Sequence, residues 1–403
     1  MKNLRSFFAD SFRLIFKGGA VFYAWMTILT LIALHGFYWY LQQVQNGLQI
    51  TGMTDHVSWG LYISNFTFFV GIAAAAVMLV IPLYVFGDKN FKNAVLIGEG
   101  VAVSALVMCL LYVTVDVGRP DRLWHLIPGL GFFNWPRSML AWDVMVLNGY
   151  LLLNLLIPFY ILYSKYCQRE PNHKVYVPFV FLSVIWAISI HTVTAFLYAG
   201  LSSKPYWNSS ILGPRFLASA FSAGPAFIAL ILGFIRRYTR YEIAEEVFSK
   251  LGIIMTVAAQ INLFLLGCEI FKEFYTNDHH SLSAKYLFFG LGEHRALVPW
   301  IWSSIGLNLL ATATLTIHRL RATRPIFYAA CVVLIVAIWI EKGLGLIIPG
   351  FIPSPQGEIV EYVPTYPEIS ITIGIFAIGL IVMTCLVRVA IPIMNGELHR
   401  RSV

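Results

Sequence analysis

Ten windows of mainly apolar residues recur along the chain and decide its class, because about 20 such residues in a helix cross a hydrocarbon core of about 30 Å. They cover approximately residues 20–44, 57–86, 94–117, 139–163, 175–200, 214–236, 249–275, 296–318, 325–347 and 369–392. In lipid every backbone N–H and C=O must be satisfied inside the protein, so windows of this length become helices, and the alternating pattern of barrel strands is absent. Only 12% of the 403 residues are charged, against about 25% in soluble domains. The sequence therefore reads as an all-α integral membrane protein with about ten transmembrane helices.

A net charge of +8 raises the question of a nucleic-acid partner, and its distribution answers it. With the N-terminus placed in the cytoplasm, the inner segments hold 19 of the 28 Lys and Arg and the outer segments 7, while Lys272 and Lys342 fall inside spans. Short cytoplasmic loops collect basic residues. Both termini are thus expected inside, in the cytoplasmic membrane, and no nucleic acid is expected as a partner. The first span follows basic residues but is longer than a signal-peptide core and has no small-residue cleavage site after it, so it reads as a retained helix. Cys109, Cys167, Cys268, Cys331 and Cys385 are scattered singly, without the spacing that holds zinc or an iron–sulfur cluster, so no metal site is expected.

Every loop is short, which leaves a single membrane domain, residues 1–403. The longest outer connections, 118–138, 276–295 and 348–368, are rich in Gly, Pro and aromatic residues. Arg137-x4-Trp142 and Arg295-x4-Trp300 introduce the fourth and eighth spans at an offset of 158 residues. That spacing predicts two four-helix bundles, spans two to five (57–200) and six to nine (214–347), with 20–44 and 369–392 flanking them.

Ionisable residues inside a bilayer are costly and mark functional hypotheses. The third span carries Glu99 near its inner end and Asp116 near its outer end, 17 residues apart, or roughly 25 Å along a helix. Asp143 opens the fourth span beside Trp142 on the outer side. In the fifth span His191, Thr194 and Tyr198 share one face at steps of three and four. Each has a bland reading, a satisfied core histidine or an aromatic anchor at the interface. Their convergence at one depth with Asp116 and Asp143 favours a site. A quinone headgroup needs donors for two carbonyl oxygens, and quinol oxidation needs bases for two protons, which His and carboxylates supply. Trp59, Tyr62, Phe66 and Trp142 are candidates to line such a pocket around a ring and an isoprenoid tail.

In the second half, Glu269, Lys272 and Glu273 share a face of the seventh span, where Lys272 can neutralise one carboxylate. Glu341 and Lys342 diverge by about 100° around the ninth span and need other partners, which suggests a proton-conducting cluster there. His35, His191 and His318 form no evident facing pair for haem.

The segments "WGLYISNFTFFVGIAAA" from Trp59, "DVGRPDRLWHL" from Asp116, "NWPRSMLAWD" ending at Asp143 and "GPRFLASAFSAGPA" from Gly213 resemble motifs of the NrfD/PsrC family of quinone-interacting membrane subunits. Ten spans are similar to its longer members, of the DsrP, HmeB, QrcD and ActC type, and DsrP of the DsrMKJOP complex is the nearest expectation. The resemblance implies a subunit without haem or iron–sulfur cluster that exchanges electrons between menaquinone and an exoplasmic ferredoxin-like iron–sulfur subunit. It also implies a multihaem cytochrome c and further redox subunits in the same complex. It places the quinone among Trp59, Asp116, Arg119, Trp142, Asp143 and His191. In the 118–138 loop Arg119 is expected to balance Asp116, while Asp121, Arg122, Trp124 and His125 contact the iron–sulfur subunit. A secondary transporter, an ion or proton channel, and a purely structural anchor are the competing classes.

Overall fold

In a computed structural model, which describes residues 2–276, 281–354 and 356–399, the chain is a bundle of helices. Part of the 276–295 loop expected at the outer face lies outside the described residues. Ten helical stretches are long and apolar enough to cross a membrane, at Ala20–Asn46, Leu61–Tyr84, Lys89–Asp116, Met139–Tyr166, His173–Ala199, Leu212–Tyr238, Glu245–Tyr275, Val298–Thr316, Arg324–Phe351 and Tyr366–Met394. They fall on the ten sequence windows. No strand occurs among the described residues, beyond one isolated bridge between Leu291 and His294.

The elements run as α1 (Lys2–Phe16), α2 (Ala20–Asn46), α3 (Leu61–Ala74), α4 (Val77–Tyr84), α5 (Lys92–Asp116), α6 (Met139–Tyr166), α7 (His173–Ala199), α8 (Leu212–Tyr238), α9 (Glu245–Thr276), α10 (Leu282–Phe288), α11 (Val298–Thr316), α12 (His318–Ala322) and α13 (Arg324–Trp339). A π-turn (Ile340–Leu344), α14 (Gly345–Ile347), a 3-10 turn (Ile348–Phe351) and α15 (Tyr366–Met394) complete the order. Helix α1 and the last turns of α15 lie at one end, where Arg388 of α15 donates to the carbonyls of Leu14, at 3.2 Å, and Lys17. The opposite, far end carries the 118–138 and 348–368 segments.

The centre is α3, every residue of which is buried. It packs against α5, α7, α8 and the π-turn. Small residues permit that crowding: a Cβ on Gly224 of α8 would lie 2.0 Å from the Ala75 Cβ, and one on Gly343 would lie 3.3 Å from the Ser64 Cβ. Lipid gives helices no hydrophobic reason to associate, so close backbone approach at small residues is what holds them together. Three short polar side chains that α3 buries donate to its own backbone, Ser64 to Gly60, Asn65 to Leu61 and Thr67 to Ile63, at 2.7–2.9 Å.

The first span, α2, has only 11% of its window buried and leans chiefly on α15. Their crossing point is Gly36 on Gly374, where a Cβ on Gly36 would stand 2.8 Å from the Gly374 Cα and 2.8 Å from the Ser370 carbonyl oxygen. Both obstacles are backbone and cannot rotate away. Gly36→Val is therefore expected to destabilise the purified protein by about 1–3 kcal/mol, the usual cost of overpacking. A thermal melt in detergent checks this, and an unchanged midpoint contradicts it.

Candidate functional site

Three groups of buried polar residues occupy the far half of the bundle. The first joins α2, α3, α5 and α15. Gln43 donates to the Val115 carbonyl at 2.6 Å and accepts from the Tyr62 hydroxyl at 2.8 Å. Tyr62 lies within electrostatic reach of both Asp116 and Glu368. Glu368 is well satisfied, accepting from Gly52 N–H at 2.9 Å, from Thr365 N–H in a capping box, and from the Tyr362 hydroxyl. Asp116 is not: its Oδ1 is buried without a partner.

The second group joins α3, α6 and α7. Asp143, near the start of α6 and only 2% exposed, accepts from Thr194 Oγ1 at 2.8 Å. One turn along α7, Tyr198 shares a hydrogen bond of 2.5 Å with Thr67 of α3. One turn back, His191 is 1% exposed and its Nδ1 has no partner. Trp59 closes the group from above, its ring 5.8 Å from Tyr198 and stacked at 5.6 Å on Trp207. Phe66 sits below on α3, its carbonyl facing the Cys109 thiol at 3.8 Å.

The third group centres on Arg215, 6% exposed in the first turns of α8. One guanidinium nitrogen pairs with Glu269 of α9 and the other with Glu341 of the π-turn at 2.9 Å. Asn262 of α9 donates to both Glu341 oxygens at 3.2 Å, and Asn308 of α11 to Oε2 at 3.1 Å. Glu341 thus satisfies most of its acceptor capacity inside the protein. Lys342, the next residue, points elsewhere and places its Nζ 3.2 Å from the centroid of the Phe216 ring. A π-turn aims consecutive residues differently from an α-helix and is frequent at functional sites. The backbone it disturbs is repaired from the 199–212 connection, where Tyr206 donates to the Gly345 carbonyl at 3.0 Å and Trp207 to the Leu346 carbonyl at 2.8 Å.

Against the sequence expectations, the structure brings Asp143, Thr194, Tyr198, Trp59 and His191 together around α3, and sets Asp116 with Tyr62 on the α2 side. Arg119 does not balance Asp116. It is exposed in the loop and chelates Asp121 at 3.0 and 2.9 Å, which holds the Asp121 carboxyl below the usual range. A neighbour two residues away is reached without the desolvation that pairing with a buried acid would require. Trp142 turns outward, its indole donating to the Pro136 carbonyl at 2.9 Å and packing on Trp135. Glu99 is buried far below, near Tyr84 and Tyr150, with Oε2 unpartnered. Of the seventh-span carboxylates, Glu273 takes Lys272 at 3.2 Å, while Glu269 turns to Arg215.

Sequence reading places Arg215 among the outer loop cations and passes over Gln43, Asn262, Asn308 and Glu368. The signal available is position: Arg215 lies inside "GPRFLASAFSAGPA", and Asn262 and Asn308 interrupt apolar windows. His35 is exposed on α2 and bonds Tyr366 at 3.1 Å, and His318 is exposed at the start of α12. Among the described residues no three His, Cys, Asp or Glu side chains are grouped to hold a metal ion.

Ten apolar helices around internally paired charges define a multi-pass integral membrane protein. The family described as "Polysulphide reductase, NrfD" matches residues 49–352, and the chain belongs to it. It is 24% identical to a selenate reductase subunit of Mesobacillus selenatarsenatis, over 93% of this chain and 95% of that one. It is 24% identical to the Hdr-like menaquinol oxidoreductase integral membrane subunit of Archaeoglobus fulgidus, over 92% and 93%. It is 22% identical to the menaquinone reductase integral membrane subunit of Nitratidesulfovibrio vulgaris, over 94% of each.

The Arg215 pairing makes a direct prediction. Removing one partner of a buried ion pair costs about 3–5 kcal/mol because the remaining charge is left uncompensated. Arg215→Met strands Glu269 and Glu341 together and is expected to lower the yield of folded protein severely, whereas Arg119→Met in the exposed loop is expected to leave it unchanged. Equal yields of the two variants by size-exclusion chromatography contradict this.

Proposed function

We propose that this chain is the quinone-interacting membrane subunit of a respiratory redox complex, exchanging electrons between menaquinol or menaquinone and an exoplasmic iron–sulfur subunit. The observation that carries the reading is the set of buried acid and base atoms left without full partners at one end of the first half: Asp116 Oδ1, His191 Nδ1, and Asp143 with a single hydroxyl donor. Buried polar groups are almost always satisfied, and a quinol, with two hydroxyl groups, supplies what these atoms lack. The names of the two menaquinone-linked relatives support the same substrate.

In this reading the quinone headgroup lies beside Asp143, Asp116 and His191, with Trp59 and Tyr198 against its ring. Oxidation of menaquinol releases two electrons and two protons. Asp143 accepts one proton at its free carboxylate oxygen while Thr194 holds the other oxygen in place, and His191 accepts one at Nδ1. Tyr62 and Gln43 lie beside Asp116 on the α2 side. The electrons leave toward the far end, which the excess of basic residues at the opposite end makes the exoplasmic one.

The 118–138 loop is read as the docking surface for the iron–sulfur subunit, with a multihaem cytochrome c further out in the complex. It exposes Trp124, stacked on His125 at 3.9 Å, together with Leu130 and Phe132, which is 89% exposed. Large apolar side chains displayed outside the membrane mark contact sites. Residues 57–200 and 214–347 are read as two bundles of four spans, and the DsrP-type placement rests on the motif resemblance alone.

A secondary transporter would also show interrupted spans, and two occur here, at Ala75–Ala76 and at Ile340–Leu344. In a transporter they are expected at corresponding positions of the two repeats. These fall on the second and ninth spans, which the proposed repeat does not relate.

Asp143→Asn is expected to lower quinol-linked electron transfer by about 10²-fold, the low end for a positioned acid or base, while the complex still assembles. Unchanged turnover in both Asp143→Asn and Asp116→Asn contradicts the placement. For the docking surface, Arg122→Glu is expected to release the iron–sulfur subunit from the complex purified through this chain. Full retention of that subunit and of activity refutes docking at this loop.

A further inference from the structure

A small cavity of about 10 Å³ lies where the two halves of the chain meet, lined by Thr67 and Gly71 of α3, His191 of α7, Phe216, Ser219 and Ala220 of α8, and Lys342 of the π-turn. That is the volume of about one water molecule, and a buried water needs two to four polar partners. His191, Thr67, Ser219 and Lys342 supply them. The His191 ring turns Nε2 toward this space, 3.8 Å from where a Cβ on Gly71 would stand, while Nδ1 is the orphaned nitrogen assigned above to the quinol. Lys342 lies within electrostatic reach of His191. Its Nζ has an aromatic face beside it and, among the described residues, no ion-pair partner, since Glu341 is taken by Arg215, Asn262 and Asn308.

We infer that Lys342 is a proton-carrying group that receives, through one water in this cavity, the proton that His191 takes from the quinol. The step rests on the quinone reading given above. A proton arriving at His191 Nδ1 makes an imidazolium; loss of the Nε2 proton to the cavity water, and of a proton from that water to the neutral Lys342 amine, leaves a neutral imidazole and an ammonium. No atom or electron is left over. A lysine is suited to this because its amine can take up and release a proton, whereas an arginine stays protonated. Beyond Lys342 the charged groups continue through Glu341, Arg215 and Glu269 to a second cavity of about 10 Å³ that also touches Tyr206 and Glu273 toward the far end.

The test measures turnover of the purified complex with a short-chain naphthoquinol in five variants: Lys342→Met, Lys342→Arg, Gly71→Ala, Asp143→Asn and Asp116→Asn. Lys342→Arg places a permanent cation over Phe216 that neither takes up nor releases a proton. Gly71→Ala changes no charge and meets only ordinary contacts, at 3.6 Å from Ala220 and 3.8 Å from His191, yet its methyl group fills the space of the water. The inference expects each of the first three to lose about tenfold or more in turnover. A purely structural Lys342 would be rescued by arginine and untouched by Gly71→Ala, so wild-type turnover in either of those two overturns the relay. If the Lys342 variants fail to assemble, Gly71→Ala decides alone on the same criterion. Loss of turnover in Asp143→Asn together with normal turnover in Gly71→Ala defeats the relay and spares the quinone reading; normal turnover in Asp143→Asn and in Asp116→Asn alike defeats the reading itself.

Discussion

A charge inside hydrocarbon must find its counter-charge within the protein, and here Arg215 is where that requirement is met. Its two guanidinium nitrogens hold Glu269 of α9 and Glu341 of the ninth span, so three helices are tied at one point. Such a network is weak evidence for stability by itself, because desolvation offsets much of the attraction. Its consequence is orientation. With Glu341 drawn to Arg215, the π-turn directs the adjacent Lys342 the other way, over Phe216 and toward α3 and α7.

The first half answers with small residues. Gly71, Ala75, Ala220 and Gly224 let α3 and α8 approach closely enough that a side chain on α7, His191, and one on the π-turn, Lys342, share a single cavity. The same packing buries Asp143 and Thr194 against each other and sets Tyr198 on Thr67. Close packing in the centre and incomplete hydrogen bonding around it are therefore two aspects of one arrangement. Two of the unpartnered buried atoms, Asp116 Oδ1 on α5 and His191 Nδ1 on α7, belong to helices packed on α3, where a ligand with hydroxyl and carbonyl groups would complete them; others, among them Glu99 Oε2 and Arg215 Nε, lie elsewhere.

The spans were legible in the sequence because lipid imposes one length and one composition on them, and all ten windows coincide with helices. Family motifs were legible for the same reason that Trp59, Asp116 and Asp143 stand out: polar residues are rare in such windows. Partnerships were less so. Arg119 reads as a counter-charge to Asp116 by proximity in sequence, but a solvated guanidinium gains more from Asp121 beside it, without entering the protein. Arg215 reads as a loop cation because it stands at the edge of its window, whereas α8 begins at Leu212 and carries it inward. Glu368 draws no attention next to the 348–368 loop, yet the chain folds back to cap α15 with it and sets it near Asp116. The π-turn leaves no trace in apolar periodicity, since "IEKGL" satisfies a helix of either pitch. In each case the missing information is tertiary, namely which of several sequence-compatible partners the packed bundle brings within reach.

The proposed quinone site lies against α6 and α7 near Asp143 and Thr194. Photolabelling of the purified complex with a photoreactive menaquinone analogue, followed by peptide mapping, tests it most directly. The account predicts label on the far-end halves of Met139–Tyr166 and His173–Ala199, and its loss when unmodified menaquinone is added in excess. Competable label confined to α9, α11 or the end of the bundle that carries α1 would contradict it.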